Sequence, residues 1–202
     1  PKTQLRTAFH LKISPVGGAT YPLLMELRTE RLLLRRWRES DRTPFAGMNA
    51  DPEVMRHFIA PLSREESDSF VDRIEDAFDI WGFGLWAVEV PGVAGFIGFT
   101  GLWPVGFEAH FTPAVEIGWR LGRQHWGFGY ATEAAAAALE YGLGPAGLDE
   151  VVSFTIPANV RSIAVMERIG MSNDPADDFD HPRIAAGSPL VRHVLYRARP
   201  VR

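Results

Sequence analysis

A turn with two glycines precedes the most regular helix pattern of this sequence, in the stretch "RQHWGFGYATEAAAAALEYG", residues 123–142. Gly127 and Gly129 stand there among aromatic residues. Helices usually begin with a Ser, Thr, Asp or Asn cap. A turn that lacks side chains at two positions instead lets a ligand reach the backbone N–H groups at a helix N-terminus, where anions bind. The alanines that follow predict a helix that packs close to a sheet.

Three phosphate-binding sequence patterns can be compared with this turn. The P-loop pattern G-x-x-x-x-G-K-[ST] is absent from the sequence. The dinucleotide pattern G-x-G-x-x-G/A needs a small residue where Thr132 stands, and its other match, "GFGLWA" at 82–87, leads into an alternating strand pattern instead of a helix. The third pattern, Q-x-x-G-x-G, matches at Gln124, Gly127 and Gly129.

The rest of the sequence alternates strand and helix patterns. Strands are predicted at 28–37, in three closely spaced runs between 85 and 121, at 150–157 and at 191–199. Helices are predicted at 41–50 and 52–58, after a cap at Ser40 and Asp41, and then at 63–82, 131–141 and 159–170. The close strands favour an antiparallel meander. The order predicts an α+β fold with a mixed sheet and helices on its faces.

The composition of the chain excludes several classes of function. With 202 residues, of which 46% are hydrophobic, the chain can build one ordinary domain. A net charge of −4 gives no basic face for nucleic acid, and no apolar run reaches the ~18 residues of a membrane span. The absence of cysteine excludes disulfides, thiolate zinc sites and a cysteine nucleophile. The six histidines show no metal-binding spacing, so no metal is expected, and the expected location is the cytoplasm.

Residues 1–24 differ from the rest of the sequence. They are punctuated by Pro and Gly and contain no acidic residue. We expect them to form an N-terminal extension outside a single domain at 25–202. An acidic loop near the other end, "DPADDFD" at 174–180, offers attraction for a cationic acceptor or is simply solvated.

Two segments carry a resemblance to a known family. "EIGWRLGRQHWGFGYATEA" and "NVRSIAVMERIGM" resemble the two signature segments of the GNAT acyl-CoA N-acetyltransferases, in particular the RimJ/RimL-like branch, which includes enzymes that acetylate ribosomal-protein N-termini. The resemblance runs from about Arg28 to Arg199 and includes "FDHPRI" and "HVLYR". It implies the GNAT fold, whose mostly antiparallel central sheet is split in the middle, and acetyl-CoA as co-substrate.

The resemblance also implies roles for particular residues. The pyrophosphate would lie on the backbone of the turn, with a hydroxyl from Thr132, and the pantetheine arm would pair with the strand at 117–119. The amide of Asn159 would contact the cofactor arm, and Ser162 would lie near the sulfur. The implied cofactor-binding residues are Ile117, Gly118, Trp119, Gln124, His125, Trp126, Gly127, Phe128, Gly129, Tyr130, Thr132 and Asn159.

Acetyl transfer to an amine needs a neutral amine, a polarised carbonyl and a proton for the leaving thiolate. Glu116 shares one strand face with Gly118 and Arg120 and is the candidate base, acting through water; the alternative is a solvated strand face. Many GNAT enzymes use a tyrosine in the later helix as the acid, but no tyrosine occurs between Tyr141 and Tyr196 in this sequence. The resemblance therefore makes Ser162 the candidate acid; the alternative is an exposed helical serine. A weak base suits an α-amine, with a pKa of about 8, better than a lysine-like amine of about 10.4.

The sequence therefore predicts an acetyl-CoA-dependent N-acetyltransferase that acts directly on a primary amine, with a protein N-terminal α-amine as one acceptor class. An alternative is a small-molecule enzyme that acetylates an aminoglycoside, a polyamine or an amino acid. An alternative of another class is an acyl-CoA-binding module without catalysis. No nucleic-acid or membrane partner is expected, and the aromatic content is compatible with a homodimer.

Overall fold

A computed structural model describes residues 26–200 of the chain, so the predicted extension, residues 1–24, lies outside them. Within that range one sheet has the strand order β1-β2-β3-β4-β5-β6-β9-β7, and β8 pairs with β9. Every pairing is antiparallel except that of β5 with β6. The strands are β1 (Glu26–Arg28), β2 (Leu33–Arg35), β3 (Leu85–Val90), β4 (Ala94–Pro104), β5 (Val115–Leu121), β6 (Val151–Thr155), β7 (Ser172–Asn173), β8 (Phe179–Asp180) and β9 (Arg192–Ala198).

Helices cover both faces of this sheet. They are α1 (Arg42–Ala50), α2 (Arg64–Trp81), α3 (Tyr130–Leu143) and α4 (Val160–Arg168). On one face, Phe99 of β4 packs against Phe45 of α1 and Phe70 of α2, with ring centroids 5.9 and 6.1 Å apart. On the other face, Leu102 lies against Gly142 of α3, so closely that a β-carbon there would come within 3.0 Å. The predicted α+β class and the placement of helices on both faces are confirmed.

The sheet is split between β5 and β6. These strands are parallel and share a single pair of facing residues, Glu116 and Val152, whereas β4 and β5 share seven. Beyond that pair the two strands diverge. The predicted split is therefore present, and it separates β1–β5 from β6–β9.

Three local predictions were wrong. The single strand predicted at 28–37 is two short strands, because Thr29 closes a turn with the Leu32 backbone. Residues 52–58 form turns instead of a helix. Asp51, which precedes a proline and adopts an extended ψ of 116°, ends α1. Asp41 makes no side-chain cap for α1. Ser63, by contrast, caps α2 and pairs reciprocally with Glu66.

Asp41 instead holds a buried cation. The Arg35 guanidinium on β2 donates to both Asp41 carboxylate oxygens, at 2.7 and 3.0 Å, and to Glu89 of β3 at 2.8 Å. Arg35 and Asp41 are each 2% exposed. This pair ties the sheet to the 3-10 turn at Glu39–Asp41 that leads into α1. No helix of the described residues is long and apolar enough to cross a bilayer.

We expect Asp41→Asn to destabilise the fold by about 3–5 kcal/mol, because removing one partner leaves a buried charge without full compensation. The midpoint of urea denaturation measures this effect. Asp72→Asn removes an exposed partner of Arg42 and should cost no more than ~1 kcal/mol. Equal midpoints for the two variants would contradict this role of Asp41.

Candidate active site

A cavity of about 1640 Å³ lies where β5 and β6 diverge. Its walls come from β5, β6, the N-terminal ends of α3 and α4, and the connections at 53–59 and 181–193. Gln124 and Phe128 do not line it. The remaining predicted site residues do, namely Glu116, Ile117, Gly118, Trp119, His125, Trp126, Gly127, Gly129, Tyr130, Thr132, Asn159 and Ser162.

Two glycines shape the turn that precedes α3. Gly127 and Gly129 have φ angles of +83° and +82°, in the left-handed region that strains other residues. Gly129 caps α3 without any side-chain hydrogen bond, and the amide of Glu133 is bonded to its carbonyl at 3.0 Å. The N–H groups of Tyr130, Ala131 and Thr132 therefore have no intrahelical acceptor and lie at the cavity wall.

Arg31 fixes this turn, and sequence reasoning missed it. Its Nε donates to Glu133 Oε2 at 2.7 Å, and its Nη1 donates to the Phe128 carbonyl at 3.0 Å. The Thr29 hydroxyl also donates to Glu133, at 2.6 Å. Burial alone would raise the pKa of Glu133, but these hydrogen bonds outweigh it and hold the pKa below its usual value. Nothing in the local pattern of 28–37 distinguished Arg31 from its neighbouring arginines.

Several residues of the turn face away from the cavity or serve its structure. The exposed Gln124 side chain lies against Gly122, and Phe128 stacks on Tyr130 with centroids 5.6 Å apart. The Trp126 indole donates to the Leu121 carbonyl at 2.8 Å, and burial lowers the pKa of His125. The predicted roles of Gln124 and Phe128 in the site are therefore not matched by their positions, since neither residue lines the cavity.

The β5 backbone at 117–119 borders the cavity. Its antiparallel partners on β4 are the residues from Thr100 to Leu102, while β6 faces β5 only at Glu116. The Ile117 side chain is fully buried toward α3. Along these three residues the edge of β5 that would face β6 therefore borders open space.

Glu116 lies at the last point of contact between the two halves of the sheet. Its side chain is partly buried, and no hydrogen bond or ion pair reaches its carboxylate from within residues 26–200. Burial raises the pKa of Glu116 to about 8. A carboxylate with this pKa exchanges a proton near neutral pH.

Asn159 begins α4, as its side-chain oxygen accepts from the Ser162 amide at 3.4 Å. Its side-chain NH₂ donates to the Thr155 hydroxyl of β6 at 3.0 Å, which leaves one N–H hydrogen for another acceptor. Ser162 is partly buried at the cavity wall. The Asn159 side chain therefore positions the start of α4 against β6.

A ring cluster that sequence reasoning did not assign closes the far end of the cavity. Phe154, His181 and His193 line it, and the two imidazole centroids are 5.2 Å apart. Burial is the main cause that lowers the pKa of both histidines. The segments "FDHPRI" and "HVLYR" carried these histidines in the family resemblance, but no local pattern pointed to their contact.

The acidic loop at 174–180 is not free to attract a cation. Asp177 is paired with Arg197 at 2.7 Å, and Asp180 lies 3.4 Å from Arg192. Asp178 accepts hydrogen bonds from Asn173 and from the Leu195 amide. Within the described part of the chain, no group of three or more His, Asp or Glu side chains is arranged to hold a metal.

Relatives in the curated proteins match most of the described chain. The YkkB protein of Bacillus subtilis is 33% identical over 147 residues, which cover 72% of this chain and 84% of that protein. An Aspergillus fumigatus protein named FsC-acetyl coenzyme A-N(2)-transacetylase is 32% identical over 133 residues, which cover 62% of this chain and 56% of that protein.

Solved structures share the fold. A GNAT-family acetyltransferase from Bacillus anthracis superposes with a TM-score of 0.71 and 26% identity, covering 87% of this chain and 98% of its own. Two others are below 20% identity and show the fold alone. They are a ribosomal-protein-S5-alanine acetyltransferase from Vibrio fischeri (TM-score 0.65, 16% identity, 86% and 96% covered) and a spermidine N-acetyltransferase from Vibrio cholerae solved with CoA and spermine (TM-score 0.67, 17% identity, 85% and 96% covered).

The family model described as an acetyltransferase (GNAT) domain matches residues 31–172, which include the split, the glycine turn and α4. GNAT enzymes use acetyl-CoA. On this match, which spans most of the chain, the protein belongs to the GNAT family of N-acetyltransferases.

Proposed function

We propose that this protein transfers an acetyl group from acetyl-CoA directly to a primary amine, with Glu116 as the base. The observation that carries the proposal is the junction of the split sheet with the glycine turn. At this junction an open β5 edge, unpaired helix N–H groups and a carboxylate with a raised pKa border one cavity.

The turn fits a diphosphate. The φ angles of Gly127 and Gly129 leave the backbone bare, and no atom lies within 4 Å of the position that a Gly127 β-carbon would occupy. The unpaired N–H groups at the start of α3 favour an anion there. Arg31, Arg123 and Arg161 lie on the same cavity wall and add positive charge.

The open β5 edge suits the pantetheine arm. Its amide groups would form β-like hydrogen bonds with the backbone of Ile117, Gly118 and Trp119. Asn159 would offer its remaining side-chain N–H to the same arm. The bound acetyl-CoA supplies an activated thioester, and these contacts would direct it toward Glu116.

Glu116 is suited to accept the proton of the attacking amine, directly or through water. General bases are most effective when their pKa is near the working pH. With a pKa of about 8, Glu116 is near the pKa of an α-amine, which is also about 8. Proton transfer between the two is thus nearly balanced, which favours an α-amine over a more basic amine.

Ser162 is suited to give a proton to the departing thiolate. It lies at the cavity wall in the first turn of α4, where the helix N-terminus also stabilises negative charge. A thiol with a pKa of about 8.5 is already a fair leaving group, so this contribution is modest. In this assignment Glu116 is the principal catalytic residue.

The identity of the amine acceptor distinguishes a protein N-terminal acetyltransferase from an enzyme that acetylates small molecules. The names of the Vibrio structures refer to a protein alanine in one case and to a polyamine in the other. Thiol release from acetyl-CoA should be measured with peptide N-termini, aminoglycosides, polyamines and amino acids. An acyl-CoA-binding module without catalysis would bind CoA in calorimetry and release no thiol with any amine.

For activity, we expect Glu116→Gln to lower kcat by about 10²-fold, since a general base typically contributes this much or more. In the parent protein kcat/KM should rise as pH increases toward 8, because Glu116 loses its proton there. When kcat/KM is expressed per neutral amine, which removes the titration of the acceptor itself, the variant should lose that rise. Glu140→Gln changes an exposed carboxylate of α3 and is the matched control. An unchanged pH profile in Glu116→Gln would exclude Glu116 as the base.

The Glu116 carboxyl should also affect the free energy of unfolding. The folded-state pKa of about 8 lies above the usual 4.5, so folding favours the neutral acid. The contribution of this acid to stability is full below pH 4.5 and is lost as pH rises through 8. Glu116→Gln should therefore gain stability over the parent between pH 5 and 9, by ~1–3 kcal/mol at pH 9. The measurement is the urea midpoint of the parent and of Glu116→Gln at each pH. If the Glu116 pKa is normal, the difference between the two midpoints would be the same across that range.

The role of the glycine turn in binding CoA can be tested by comparing substitutions at two similar glycines. Gly127 and Gly147 both have positive φ, +83° and +66°, and neither has an atom within 4 Å of its β-carbon position. Ala at either position should cost a similar ~1 kcal/mol of stability from backbone strain. Only Gly127→Ala should also weaken CoA binding in calorimetry, by tenfold or more. Equal CoA affinities in the two variants would show that the turn does not hold the cofactor.

A further inference from the structure

Arg120 is a partly buried cation at the cavity wall that the proposed mechanism does not use. It lies on β5, on the same face as Glu116. Its guanidinium carbon is 4.2 Å from the ring centroid of Phe58 and 5.4 Å from that of Phe99. The guanidinium therefore lies against both rings.

The Arg120 side chain has unused hydrogen-bonding capacity. Its Nη1 donates to Asn49 Oδ1 at 2.6 Å, but its buried Nε has no acceptor among the described residues. No carboxylate of residues 26–200 forms an ion pair with it, in contrast to Arg35. Burial lowers the pKa of Arg120 to about 10, which still leaves it charged at neutral pH. A buried, unpaired charge is costly unless an anion binds there.

The neighbouring helices hold this cation in place. Asn49 of α1 is fully buried, and its NH₂ group donates to the Ser67 hydroxyl of α2 at 2.9 Å. That contact turns the Asn49 carbonyl oxygen toward Arg120. A chain of buried polar side chains from α2 through α1 to β5 thus positions one guanidinium at the cavity.

The charge of the cavity wall disfavours a polycation. Its carboxylates are Glu53, Glu116 and Glu133, of which Glu133 is bound to Arg31 and Glu116 has a raised pKa. Within the described residues, several arginines of the wall have no ion pair, namely Arg120, Arg123, Arg161, Arg168 and Arg183. The phosphates of CoA would offset part of this charge at the turn. Of these arginines, Arg120 is the one that donates a hydrogen bond to α1, through Asn49.

We propose that Arg120 binds a carboxylate of the acceptor, so that the acceptor is a small molecule carrying both a primary amine and a carboxylate. This inference rests on the proposed acetyl transfer. Glu116 and Arg120 are four residues apart on one strand, so their Cα atoms are about 13 Å apart. Gly118, between them on the same face, has no side chain, which leaves room for a ligand that reaches both.

A first experiment needs only the parent protein. Thiol release is measured with glycine, 4-aminobutyrate and 6-aminohexanoate, with the amide of each, and with spermidine. We expect at least one acid to exceed its amide by tenfold or more in kcat/KM, and spermidine to be poorer than that acid. Amides acetylated as well as the acids, or spermidine as the best acceptor, would overturn the inference.

The same experiment separates this inference from the proposed function. If calorimetry shows CoA binding and other amines are acetylated while no amino acid is, the carboxylate site is wrong and the acetyltransferase assignment stands. If CoA does not bind, the proposed function itself fails. Acetylation of amidated peptides in preference to every small amino acid also overturns the inference, since it places the acceptor in another class.

A second experiment assigns the effect to Arg120. Arg120→Met should raise the KM of the preferred acid by tenfold or more, leave kcat and CoA affinity within about twofold, and abolish the preference for acid over amide. Arg120→Lys should keep part of that preference. Arg28→Met, which removes an exposed arginine paired with Glu26, is the control. A tenfold loss of CoA affinity in Arg120→Met would show that the bound anion is a phosphate of CoA, and the inference would fall.

Discussion

The single parallel pairing in the sheet determines the position of the functional groups. A parallel connection between neighbouring strands needs a crossover, which here is α3. The chain therefore leaves β5, turns through Gly127 and Gly129, and returns as a helix whose N-terminus lies beside the end of that strand. Because β5 and β6 touch only at Glu116 and Val152, the space between them is the cavity.

Two partly buried ionisable groups on one face of β5 are held in opposite states. Near neutral pH Glu116 is largely protonated, because burial without a partner disfavours its charge, while Arg120 stays charged despite burial. Elsewhere the chain compensates a buried charge, as Arg35 shows with its bonds to Asp41 and Glu89. The lack of such compensation at the cavity is the physical reason to assign Glu116 and Arg120 to substrate.

The two faces of the sheet contribute different parts of the cavity. The α3 side supplies tight packing against small residues such as Gly142, which brings the helix N-terminus close to the strands. The α1 and α2 side supplies Asn49 and Ser67, which orient Arg120. In the function proposed above, the α3 side would hold the cofactor and the α1 and α2 side would hold the acceptor.

The sequence by itself determined the family, the glycine turn, the alternation on β5 and the starts of α2 and α4, because each follows from residues that are near one another in the chain. Only the tertiary structure decided that Arg31 fixes the turn, that His181 and His193 meet, and that Asp41 binds Arg35 instead of capping α1. It also decided that neither Glu116 nor Arg120 has an ion-pair partner among residues 26–200. Burial and pairing are set by residues distant in sequence, so no local pattern carries them.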